Sequence, residues 1–327
     1  MAQSQQSVVL PELALAVAPR RSRRAKKLAL LAKRNKLGAL GVVLVLFVMT
    51  VAAIGPLIQR YGDNEAFQTA NPDFNPTANP LDIAQNQKLG SPFILDRFQG
   101  PNPTHWLGTD QFGRDIYARV IVGTRLAVVI GIGASLIAVF FGTSIGIISG
   151  YFGGKIDLVI QRFVDALQAF PGLVLLLLIV QVVEEPPLWL FVIALGLLGW
   201  AVSVRIVRSA VLALTATTFV EAARAFGATD FRIMARHILP NVMGPILIVF
   251  SISIGAYILA EASLSFLGVG PADKTTWGKM VNAGRQAVDL HPWESVFAGS
   301  AITLTVLGFN LAGDAIRDEL DPRLRGR

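Results

Sequence analysis

The chain has 327 residues, 53% of them hydrophobic and only 16% charged, with a formal net charge of +7 and no cysteine. A soluble domain carries about 25% charged residues, so this composition excludes an ordinary water-soluble fold and points to a membrane protein. The lack of cysteine excludes a disulfide framework and any thiolate metal site.

Residues 1–36 form a basic arm with nine Lys or Arg against one acid, Glu12. Basic segments beside a span stay in the cytoplasm, so the N-terminus is expected inside. The arm reads as a topology signal, with contact to anionic membrane lipid as the alternative. The first apolar run, 37–58, has 22 residues. That is longer than the run of about 7 to 15 in a signal peptide, so an uncleaved first span is expected.

Segment 59–123 holds five basic and seven acidic residues and carries the turn chemistry "NPDFNPTANP". It is expected on the extracytoplasmic side of the membrane. Its end, "HWLGTDQFGRD", combines a Trp, two glycines and alternating acids. His105, Trp106, Asp110, Arg114 and Asp115 are read as an outer mouth that meets a partner, joined by Trp277 from a second outer loop, 270–293. A helix-capping turn that seats the next span is the competing reading.

The second span is expected over Leu126–Ser149. Gly142, Gly146 and Gly150 fall on one helical face and invite close backbone approach. Gly142 to Gly146 also fits G-x-S-x-G, but Ser144 sits in an apolar helix and not at a strand-to-helix elbow. The third span is expected over Ala166–Val183, starting near Asp157, which places Arg162 and Asp165 on its first turns as an i, i+3 pair. Asp165 would then lie about 12 Å into the helix.

The fourth span, Leu188–Val204, is followed by a polar stretch, "EAARAFGATDFRIMARHILPN" from Glu221 to Asn241. It reads as a helix, a break at Gly227, and a second helix capped by Thr229 or Asp230 and closed by Pro240. Phe231, Met234 and Ile238 are expected on one face, with Arg232 and Arg236 on another. A short helix with one apolar knob suits a groove on a soluble partner; an amphipathic connector resting on the bilayer is the bland alternative. Glu221 is expected to pair with Arg224, Arg205 or Arg208.

The fifth span, Val242–Ala260, leads to Glu261, Ser263 and Ser265, intramembrane polar candidates together with Arg162 and Asp165. The sixth, Val296–Gly313, returns a tail with four Arg, 317–327, to the cytoplasm. Six crossings therefore put both termini inside. No H-E-x-x-H or G-x-x-x-x-G-K-[ST] is present, so no catalytic residue, metal site or nucleotide cradle is expected in this chain. An ion-coupled carrier, or more remotely an intramembrane serine protease, are the rival classes, and nothing suggests a nucleic-acid partner.

The stretch from Glu221 resembles the EAA loop of ABC-importer permeases at Glu221, Ala222, Ala223, Gly227, His237, Leu239 and Pro240. "GTDQFGRD", "YFGG", "EASLSFLG" and the "RD…DPRL" tail extend the resemblance to the C-type permease subunit of dipeptide and oligopeptide importers, from about residue 104 to the end. The chain departs from that pattern at Ala118 and Ala127, where Ser is common near the two Arg, and in its long outer loop.

The resemblance implies an all-α membrane fold of six transmembrane helices, the type I importer permease fold. It further implies a permease core over 124–316 and a coupling loop over 205–241. The coupling residues would be Glu221, Ala222, Ala223, Gly227, Ala228, Phe231, Arg232, Arg236, His237 and Pro240. The implied partners are a second permease, two ATPase subunits that hold ATP and Mg, an extracytoplasmic substrate-binding protein, and a peptide or similar solute.

Overall fold

A computed structural model describes residues 35–74, 76, 77, 91–183, 186–272 and 274–320. The basic arm up to residue 34 and the tail from 321 lie outside the described residues.

Helix α1 spans Lys36–Ile58, its first turn closed by the Asn35 side chain, which accepts from Gly38 N at 2.8 Å. A short antiparallel ladder, β1 (Gln68–Ala70) with β2 (Phe93–Leu95), pairs Thr69 with Ile94. Helix α2 then runs unbroken over Ile116–Phe152. It begins ten residues before the expected span because its first turns, although polar in part, are buried in protein: Ile116, Ala118 and Arg119 are all covered.

The third span departs from expectation. Instead of one helix from Asp157, α3 (Gly154–Gln168) and α4 (Gly172–Gln181) meet at a 74° bend. Pro171 has no N–H to donate and disfavours helix at the residue before it, which accounts for the break at Phe170. Asp165 therefore lies on α3, before the bend and half-exposed. It keeps the expected i, i+3 pair with Arg162 at 3.7 Å and gains a closer partner, Arg205 at 2.6 Å, from the next long helix.

That helix, α5, covers Leu188–Thr215. After it come α6 (Thr218–Ala225), α7 (Asp230–Ile233), a π-helical turn (Met234–Ile238) and α8 (Leu239–Asn241). Helix α9 (Met243–Phe266), α10 (Trp277–Gly284) and α11 (Trp293–Leu320) complete the chain. Helices α1, α2, α5, α9 and α11 are long and apolar enough to cross a membrane, with α3–α4 as a sixth if the bent pair counts as one span.

Packing assigns two ends. At one, Trp277 Nε1 donates to Val120 O (3.0 Å) and Ala272 N to Pro186 O (3.0 Å), beside the 59–115 segment. At the other, Tyr151 meets Asp230 and Asn35 meets Asp318. The glycines of α2 form the tightest seam. A Cβ on Gly146 would come within 2.9 Å of Val204 O, and one on Gly150 within 2.8 Å of Val211 Cβ, so α2 and α5 touch nearly backbone to backbone. Ser144 is back-bonded to Phe140 O at 2.8 Å inside α2, with no elbow around it.

Candidate functional site

The polar insert between α5 and α9 folds as a compact knob. Helix α6 ends in a two-bond stop: Ala228 N donates to Ala223 O (3.0 Å) and Gly227 N to Arg224 O (2.9 Å). This pairing is the Schellman closure, which demands a left-handed residue at its turn. Gly227 supplies it at φ +76°. Ala223 and Ala228, the two residues the closure brings together, are both partly buried against the apolar floor below, which explains their small side chains. Thr229 then caps α7, its Oγ1 accepting from Arg232 N at 3.4 Å.

That floor holds the knob in place. Val220, Ile233, Ile238 and Val242 pack with Ile147, Tyr151, Val207, Val211 and Ile246 from three crossing helices. Tyr151 Oη donates to Asp230 Oδ1 at 2.6 Å, and the Arg224 guanidinium lies 5.1 Å above the Tyr151 ring. The Tyr151 oxygen is the main reason the Arg224 pKa is raised above its ordinary value, with Asp230 and Glu221 adding to it.

The expected single apolar face does not form. Ile238 is fully buried, Met234 partly so, and Phe231 is 78% exposed. The π turn inserts one extra residue per turn, so Ile233 and Ile238, five positions apart, share the inward side. Phe231 is left outside with Phe226, which is 91% exposed. Glu221, Ala222, Gly227, Arg232, Arg236 and Pro240 are also exposed, while His237 is partly buried. The insert thus presents two aromatic prongs on either side of a glycine turn, ringed by Arg224, Arg232 and Arg236. Such a surface can dock; it offers no bond chemistry.

Glu221 does not take Arg205 or Arg208. Arg205 is bound to Asp165, and Arg208 is bidentate on Asp157, which also accepts from Ser149 Oγ. Sequence reasoning missed this clamp between α3 and α5. It also missed Phe226, whose signal was its place directly before the glycine turn.

At the opposite end, the His105–Asp115 stretch is largely internal. His105 Nδ1 pairs with Asp115 Oδ2 at 2.8 Å, and Asp115 Oδ1 accepts from Ala118 N at 2.8 Å, capping α2. Asp110 accepts from the N–H groups of Phe112 and Arg114 and from Arg114 Nε at 2.7 Å, with Arg119 at 3.7 Å. His105, Asp110, Asp115 and Trp277 are all buried. Of the six residues expected at a mouth, Trp106 is the freely presented one, 52% exposed and stacked under Arg60; Arg114 is partly covered by its bond to Asp110. The capping reading fits His105, Asp110 and Asp115, and Trp277 is anchored on Val120 O.

Among the polar residues of α9, Glu261 accepts from Ser265 Oγ at 2.6 Å, both buried, and Ser263 is back-bonded to Leu259 O at 2.8 Å. Among the described residues no three His, Asp or Glu converge to hold a metal ion.

Residues 142–326 match the family described as the binding-protein-dependent transport system inner membrane component. The dipeptide transport system permease protein DppC of Alkalihalophilus pseudofirmus is 39% identical over 70% of this chain and 76% of its own. The oligopeptide permease protein OppC of Bacillus subtilis is 36% identical over 71% and 76%, and the glutathione permease protein GsiD of Shigella flexneri 45% over 69% and 75%. A solved inward-facing MetNI methionine ABC transporter chain is 20% identical, with a TM-score of 0.46, over 59% of this chain and 94% of that one.

Proposed function

Because the chain belongs to the family of binding-protein-dependent transport system inner membrane components, we propose that it is one of two permease subunits of an ATP-driven importer of peptides or peptide-like solutes. The observation that carries this reading is the knob: a rigidly floored insert whose exposed parts are two phenylalanines, a left-handed glycine and three arginines. Two ATPase subunits, which hold the ATP and Mg, grip this knob, and their closure drives the crossing helices between inward and outward openings. The chain itself supplies coupling and half of the path.

The knob shares its end with Asn35 and Asp318, and the eight basic residues that precede α1 favour the cytoplasm. Both termini are therefore cytoplasmic. The protein lies in the cell membrane of a prokaryote, and an extracytoplasmic binding protein sits over the opposite end. The names of the relatives make dipeptides, oligopeptides and glutathione the first solutes to try. A strain deleted for this chain should lose uptake of radiolabelled dialanine or glutathione and regain it on complementation. Unchanged uptake of both, together with failure of the chain to retain an ATPase on purification, would overturn the proposal.

A further inference from the structure

Helices α1 and α11 run antiparallel in a fixed register. Gly38 faces Ala315, Gly41 faces Leu311 and Ala312, and Gly308 faces Leu44. Asn35 Nδ2 donates to Asp318 Oδ2 at 3.0 Å at their shared end. On that register Asn310 falls level with Val42 and Val43, about 10 Å along α1 at 1.5 Å per residue. Asp314 lies about one turn shallower, and Thr303 lies level with Met49 near the middle of α1.

At these same depths the two helices expose opposite chemistry. The outward face of α1 is Leu40, Val43, Leu46 and Phe47, as expected of a surface in hydrocarbon. On α11 one exposed stripe carries Ser300, Thr303, Asn310, Asp314 and Arg317, interrupted by Leu307. At 3.6 residues per turn these positions fall within one arc of about 100°. Thr303 is back-bonded to Gly299 O at 2.9 Å, but neither Asn310 nor Asp314 has a hydrogen-bonding partner among the described residues. Asn310 is exposed with its Oδ1 beside Gly255 of α9, and a polar group facing lipid at that depth is disfavoured.

We infer that this stripe of α11 lines the aqueous path through the importer, and that Asn310 contacts the solute. This rests on the importer reading above. The stripe fits a peptide-like solute: amide and hydroxyl groups can exchange hydrogen bonds with peptide bonds, and Asp314 and Arg317, one turn apart, oppose its ionised amino and carboxylate ends.

Since the chain has no cysteine, single-cysteine variants test this directly. Asn310→Cys, Thr303→Cys and Val43→Cys are each purified with the ATPase and sister permease, reconstituted in liposomes without ATP, and treated with a charged maleimide from both sides. The thiolate attacks the maleimide, and it forms poorly in hydrocarbon. Asn310→Cys and Thr303→Cys should therefore label more than about tenfold faster than Val43→Cys. Equal, slow labelling of all three would overturn the inference. So would labelling of Asn310→Cys in the isolated chain but not in the complex, which would make the stripe a seam between permeases. If Asn310→Cys fails to assemble, Ser300→Cys carries the same comparison. Uptake of dialanine and glutathione is measured on the unaltered complex. If uptake fails while Asn310→Cys labels, the peptide reading falls and the aqueous path stands.

Discussion

Gly227 isolates backbone conformation from bulk. Its φ is +76°, and a Cβ built there would meet nothing within 4 Å. Any cost of substitution is therefore conformational, about 1 kcal/mol for Ala. The residues flanking it are pinned by Val220 on one side and Ile233 and Ile238 on the other. The turn must then either hold the strain or relax and swing Phe226 away from Phe231. Relaxation can weaken ATPase docking by at most about fivefold, since about 1.4 kcal/mol is tenfold. Asn visits the left-handed region more readily than Ala, so Gly227→Asn should be milder although larger. Gly227→Pro fixes φ near −65° and deletes the 2.9 Å bond to Arg224 O; the knob must rebuild, and docking should be lost. Co-purified ATPase and uptake should both follow Gly, Asn, Ala, Pro at constant permease abundance. An order that follows side-chain size, with Ala better than Asn, would refute the reasoning, as would full coupling with Pro.

Three further outcomes follow from the same geometry. Phe226→Ala and Phe231→Ala should leave the thermal stability of the chain unchanged but each weaken ATPase attachment by about 2 kcal/mol, the range of an interface anchor; Ile238→Ala should instead destabilise the fold by about 2 to 5 kcal/mol, read by melting in detergent. Asp115→Ala removes the α2 cap, about 1 kcal/mol, and strands buried His105, so it should lower the melting temperature, whereas Trp106→Ala should spare stability and reduce stimulation of the ATPase by the binding protein. A reporter active only in the cytoplasm should stay silent when fused after Pro92 or Lys279; activity at either site would invert the orientation.

Much of this was legible in the sequence because hydrocarbon selects long apolar runs, and those runs locate the crossings. The ends were not: α2 starts at Ile116 because Asp115 caps it and Arg119 is buried beside Asp110 inside the protein, which no hydropathy pattern records. The turn at Gly227 was readable, since glycine between two helical stretches has few other uses. The face of the following helix was not, because a π turn shifts the register by one residue and leaves no mark in composition. The acids of the "GTDQFGRD" stretch suggested a contact surface, yet acids that cap and pair look the same in sequence as acids that face water. The α3–α5 clamp was hidden for a related reason: Arg208 and Asp157 are 51 positions apart.

Helix α2 spans 37 residues, about 55 Å at 1.5 Å per residue, nearly twice the roughly 30 Å that hydrocarbon requires. One end is fastened by the Asp115 cap and the Trp277 bond, the other by Tyr151 on Asp230, and its last three turns are welded to α5 along Gly142, Gly146 and Gly150. Two rods joined along their length cannot slide past each other without opening that weld. A push of a few ångströms on the knob must therefore arrive at the far surface as a tilt of the pair, with the loop carrying Trp106 riding on its tip.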